Sequence, residues 1–135
     1  MLEAGWIAYL STTDAVCYHD GHRSLQKENP VFEVPIFTDD GALRDEKVIR
    51  VTDMAFDEKV LFDEDRFMSA ILLRPEFQKK MTGTELRHLL GRVYGEQEKK
   101  LKVQPGLLST CPRLSVMILL GAPGDGSLFL NSMKL

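Results

Sequence analysis

The stretch Met81-Thr-Gly-Thr-Glu85-Leu-Arg-His-Leu-Leu90-Gly-Arg-Val-Tyr94, followed after a Pro105-Gly106 break by Leu114-Ser-Val-Met-Ile-Leu-Leu120, decides the fold expected of this chain. Thr82 and Glu85 stand at capping-box spacing, so the threonine hydroxyl takes the Glu85 amide while the glutamate reaches back. Met81 and Leu86 are placed as the hydrophobic staple around that cap. Leu86, Leu89, Leu90, Val93 and Tyr94 fall at i, i+3, i+4, i+7 and i+8, the signature of one helix face. Gly95 is read as a helix stop, or the helix continues through Glu96 to Lys100. Leu114–Leu120 is long enough for a core strand and too short to span a bilayer.

Working outward, the N-terminal half reads as strands. Trp6-Ile-Ala-Tyr-Leu10 suits a pleated surface. Ser11-Thr-Thr-Asp14 is turn chemistry. Ala15–His19 and His22–Leu25 flank Asp20-Gly21, a two-residue hairpin signal. Val31–Phe37 is extended, and Pro35 within it removes a ladder donor, which marks an edge strand. Lys47–Thr52 is expected as its partner. Asp63-Glu-Asp65 supplies the negative charge that a helix start favours, and the helix after it ends at Arg74-Pro75. Ala122–Gly126 is expected to turn the chain into a last strand, Ser127–Leu130. The expected fold class is α+β: a mostly antiparallel sheet with two or three helices on one face, a β-rich N-terminal half, central helices and a C-terminal β-hairpin.

The 135 residues suit one domain, expected to cover 1–135. The two cysteines, Cys17 and Cys111, form no disulfide framework and are read as reduced thiols. No basic n-region opens the chain, no segment has membrane-spanning length, and the expected location is cytoplasmic. The net charge is −3, unevenly spread: residues 1–70 carry 7 Lys/Arg against 15 Asp/Glu, and residues 71–135 carry 10 against 5.

Three functional classes were weighed against that charge pattern. The favoured one is a non-enzymatic protein–protein interaction module, an adaptor, chaperone-like binder or inhibitor, in which complementary charged halves steer association. Its partner-binding residues are expected to be Asp39, Asp40, Asp63, Glu64, Arg87, Arg92 and Gly91. The edge strand Val31–Phe37 offers a docking mode by strand addition. Gly91 has no local excuse inside a helix, where glycine costs roughly 1 kcal/mol against alanine. It predicts a close-packed neighbour, from this chain or from another copy in a homo-oligomer.

The second class is a metal-binding protein or metal-dependent enzyme. On a hairpin, His19 and His22 would form a cross-strand pair with Cβ atoms roughly 5 Å apart, and Cys17 would share their face. Those three could hold zinc, though the spacing is no standard zinc signature. The same residues make a poor nucleophile–base pair, since no oxyanion hole accompanies them. The third class is a nucleic-acid binder through the basic helix carrying Arg87 and Arg92. The acidic pI of 5.6 and the lack of interleaved aromatics weigh against it. Nucleotide binding at Gly121–Ser127 is rejected, because Gly126 stands where a phosphate loop needs lysine and because the following segment reads as extended. No cofactor is expected.

Overall fold

The computed structural model describes residues 1–121 and 126–133. In order, the elements are β1 (Tyr9–Thr12), α1 (Asp14–Leu25), β2 (Phe32–Glu33), α2 (Asp40–Asp45), β3 (Val48–Val51), β4 (Met54–Asp57), α3 (Glu58–Leu72), a 3-10 turn (Pro75–Phe77), α4 (Gly83–Leu101), α5 (Leu107–Arg113), β5 (Met117–Leu120) and α6 (Ser127–Ser132). The strands form two sheets. β1 and β5 pair in parallel, and β2, β4 and β3 form an antiparallel sheet in that order.

This corrects the expected fold class. The fold is mixed α/β with a small parallel sheet, not a mostly antiparallel sheet with helices on one face. The C-terminal hairpin does not exist: Ser127–Ser132 is helical, and β5 pairs instead with β1, Tyr9 against Met117 and Thr12 against Leu120. The expected turn at 122–126 lies, apart from Gly126, outside the described residues. The N-terminal hairpin is also absent, because Asp14–Leu25 is one helix. Thr13 caps it by accepting the Val16 amide at 3.3 Å, which satisfies one of the orphan donors of the first turn.

α1 shows why the hairpin expectation failed. Its buried residues are Asp14, Cys17, Tyr18, Gly21, His22 and Ser24. The first five follow the 3.6-residue period, but the stripe they make is polar and small rather than apolar. Gly21 is not a turn residue. A Cβ there would overlap Glu64 Oε1 and lie 3.0 Å from the Tyr94 ring, so glycine is what lets α3 and α4 approach α1.

α4 forms as the capping box dictates. Thr82 Oγ1 accepts the Glu85 amide at 3.2 Å and the Glu85 carboxylate accepts the Thr82 amide at 2.7 Å. Leu90, Val93 and Tyr94 are buried and Leu86 and Leu89 pack against the same core. Each fully buried leucine contributes roughly 1.5–3 kcal/mol. The helix runs through Gly95 and stops at Lys102, which takes a left-handed conformation at φ 60°. The Pro105-Gly106 break is followed by α5, which packs across α4 at Gly91. A Cβ on Gly91 would overlap the Leu108 carbonyl and stand 2.8 Å from Pro112 Cγ. The close neighbour expected over Gly91 is therefore α5 of this chain.

The 31–37 segment keeps only a two-residue strand. Its partner is β4, Phe32 opposite Ala55, and not the 47–52 strand, which pairs with the other edge of β4. α3 begins at Glu58, a turn before the acids expected to start it, and ends where Arg74-Pro75 requires. Among the described residues no helix is long and apolar enough to cross a membrane.

Candidate functional site

Two features of the structure gather polar side chains: the buried helix α1, and the carboxyl ends of the parallel strands. α1 is a hub. Each of its polar side chains meets a different neighbour. Tyr18 donates its hydroxyl to Asp65 on α3 at 2.9 Å. Asp20 accepts the amides of Leu107 and Leu108, at 3.4 Å for the latter, and so caps α5 from a distant part of the chain. Ser24 donates to Glu98 on α4 at 2.6 Å, and the same glutamate oxygen accepts the Gly106 amide at 2.8 Å. Buried polar groups need such partners, because an unmatched one costs about 1–3 kcal/mol.

The densest part of this network runs from α3 through α1. The Tyr94 hydroxyl donates to Glu64 Oε1. Glu64 Oε2 lies 3.4 Å from His22 Nδ1, and His22 Nε2 lies 3.0 Å from His19 Nδ1. Glu64 and His22 are excluded from water, while His19 is half-buried and reaches Phe56 of β4. Burial raises the Glu64 carboxyl above its usual value, against the opposing pull of His22 and Tyr94. Burial and then the nearby His22 lower His19. Burial pushes the Cys17 thiol up to about 12. A carboxylic acid, two imidazoles and a phenol in one line can pass a proton between the core and the surface of α1.

At the other feature, β1 and β5 end side by side and each feeds a helix, α1 and α6. Asp14 joins the two helices, accepting the Phe129 amide of α6 at 3.1 Å. Gly126 packs against it so closely that a Cβ would stand 2.6 Å from both Asp14 Oδ2 and the Ala15 amide nitrogen. A cavity of about 390 Å³ opens here, lined by Asp14, Leu86, Arg87, Leu120, Leu128 and Phe129 among others. Arg87 crosses from α4 and donates to the Ile118 carbonyl at 3.1 Å.

These positions revise the expected sites. Cys17, His19 and His22 share no hairpin face; the helical turn spreads them, and Cys17 points into the core. Zinc on that face therefore has no geometric basis, and among the described residues no three His, Cys, Asp or Glu side chains are grouped to hold a metal. Glu64 is no surface charge but the centre of a buried pair, so it cannot meet a partner protein. Arg87 is half-buried against β5, which removes one of the two cations assigned to a nucleic-acid face. Asp39 caps α2 through the Gly41 amide at 2.8 Å. Asp40 is held by Arg50 at 2.7 and 2.9 Å, and Asp63 pairs with Lys59. Arg92 lines a separate groove between α4 and α5, and Gly91 lies beneath α5. The seven residues thus form no single surface. The helical state of Ser127–Ser132 also removes one of the two grounds for rejecting a phosphate loop at 121–127; the missing lysine is unchanged.

Parallel strands whose carboxyl ends feed helices define an α/β fold of the kind that carries enzyme sites at those ends. A family model described as deoxyhypusine synthase matches residues 1–134. The chain is 39% identical over 132 residues to a deoxyhypusine synthase-like protein of Nostoc punctiforme, covering 97% of this chain and 33% of that protein. It is 38% identical to a protein of the same description from a Nostoc species, covering 97% of this chain and 34% of the relative. A Cyanothece relative is 36% identical, at 97% and 32% coverage. The chain belongs to the deoxyhypusine synthase family. It spans about a third of the length of the curated relatives it matches. Membership in an enzyme-related family overturns the expectation of a non-enzymatic adaptor, chaperone-like binder or inhibitor. That expectation rested on missing motifs, and this family's site has no short local signature in the matched third.

Proposed function

We propose that this chain serves as one segment of a deoxyhypusine synthase-type enzyme and supplies part of its active-site framework at the carboxyl ends of β1 and β5. The observation that carries this is the family match over residues 1–134, joined to a ligand-sized cavity at the place where open α/β sheets bind ligands. In this role Asp14 locks the start of α6 onto α1. Arg87 brings a positive charge to the cavity wall, and Leu86, Leu120 and Leu128 supply its apolar side. A cytoplasmic location belongs to the same proposal, in keeping with two free, buried thiols.

The test is a chimera in which this chain replaces the matched third of the Nostoc punctiforme relative. Cells making it would be examined for deoxyhypusine in acid hydrolysates of total protein by mass spectrometry. Deoxyhypusine is expected, and Arg87→Met is expected to reduce it at least tenfold while the protein stays folded. Its absence from cells holding folded chimera, or an unchanged yield in folded Arg87→Met, would contradict the proposal.

A further inference from the structure

The parallel sheet is covered on one side only. Leu10 and Thr12 of β1 and Ile118 and Leu120 of β5 face the core side of the ladder, opposite one another in register. The other face carries Tyr9, Ser11, Met117 and Leu119. Three of these four are large and apolar, and Tyr9, Met117 and Leu119 are 64%, 50% and 39% exposed. Trp6, just before β1, is 76% exposed. Parallel strands occur with both faces covered, because the crossover segments that join them lie across the sheet. A sheet of two short strands also leaves one edge of each strand open, and such edges pair readily. Two strands alone make a marginal sheet.

The comparisons give the length of what is missing from this arrangement. Relatives that align to nearly all of this chain carry about two thirds of their length outside the match. A fold of that size has the chain needed to lay helices on the bare face and strands along the open edges.

We propose that the face formed by Tyr9, Ser11, Met117 and Leu119 is the seam at which this segment joins the remainder of the family fold. The occupant is the part of that fold outside the matched third. Its helices cover the apolar face, and its strands extend the β1–β5 ladder. The seam rests on family membership and is independent of the catalytic activity proposed above. An inactive protein with a covered face would leave it standing.

Thiol labelling tests this cleanly, because the two native cysteines are buried. Met117→Cys and Leu119→Cys variants would be labelled with a maleimide in the isolated chain and in the chimera with the Nostoc punctiforme relative, its other exposed cysteines changed to serine. Glu46→Cys serves as the control outside the seam. Both seam thiols are expected to react at the rate of a free thiol in the isolated chain and at least 100-fold more slowly in the folded chimera, with the control unchanged. If the chimera is insoluble, the same labelling is read on this chain mixed with the remainder of the relative as a second polypeptide, where protection on mixing is expected. Equal reactivity in the folded chimera, or failure of the two polypeptides to associate, overturns the proposal. So does protection in the isolated chain that grows with its concentration, which would make a second copy the occupant.

Discussion

His22 on α1 and Glu64 on α3 form a pair sealed from water, Nδ1 to Oε2 3.4 Å apart, that ties together two helices separated by more than forty residues of sequence. Tyr94 from α4 closes the carboxyl from its other oxygen. Three helices therefore converge on one acid. Burial raises its folded value above the ordinary 4.5. Protonation then favours the folded state: the contribution is present in full below about 4.5 and is lost as pH rises through the folded value.

The pair makes a prediction with a sign. Glu64→Gln removes the titration, so the stability of wild type relative to Glu64→Gln falls as pH rises from about 4 towards neutrality. Urea denaturation across that range measures it, and a difference that stays flat or rises would show that Glu64 is not held above its ordinary value. His22→Ala, which leaves the acid with one partner fewer, is expected to cost about 3 kcal/mol at neutral pH.

The two glycines of α4 should respond in opposite directions. Gly91→Ala drives a methyl into the Leu108 carbonyl, and backbone cannot step aside cheaply, so a loss of about 3 kcal/mol is expected. At Gly95 the nearest atom to an added Cβ is Ser109 Cβ at 3.4 Å. Gly95→Ala should therefore be neutral or stabilise by up to about 1 kcal/mol through helix propensity. Thermal unfolding of the two variants beside wild type decides this, and equal effects would mean that α5 does not lie where it is described.

Helix caps offer a second contrast. Thr82→Ala removes a local capping box and is expected to cost about 1 kcal/mol. Asp20→Ala removes a cap that α5 receives from α1, across more than eighty residues. Its effect should be concentrated in faster hydrogen exchange at Leu107 and Leu108, with α4 amides little changed. Uniform acceleration over both helices would argue against that assignment.

Both thiols should be silent in the folded protein. Cys17 is buried and its thiol is held up to about 12, and Cys111 is buried beneath α5. Reaction with a disulfide reagent at neutral pH is expected to proceed only through unfolding, at least 1,000-fold slower than in denaturant, where two thiols per chain appear. A fast-reacting thiol in native buffer would contradict the packing of α1.

These contrasts also explain what the sequence disclosed. α4 was legible because its determinants are local: a cap within four residues and an apolar stripe at helical spacing. β1 was legible as a strand, though displaced by a few residues. α1 was not, because the side chains it buries are Asp14, Cys17, Tyr18, Gly21 and His22, and only their spacing carries the helical signal. Asp20-Gly21 looks like a turn to any rule that sees four residues at a time. α5 was missed because its N-terminal amides are satisfied by Asp20, far away in sequence. The pairing of β1 with β5 has no local trace, and the site at their ends inherits that silence.

The most direct measurement on the whole account is a cross-link between β1 and β5. Ser11 and Leu119 are register partners on the outer face, and neighbouring strands lie within the span a disulfide requires. The double variant Ser11→Cys with Leu119→Cys is expected to oxidise rapidly and completely to an intramolecular disulfide in the folded protein. Two thiols that stay reduced under mild oxidant, in a chain that remains folded, would contradict the parallel pair on which the site, the seam and the proposed function all stand.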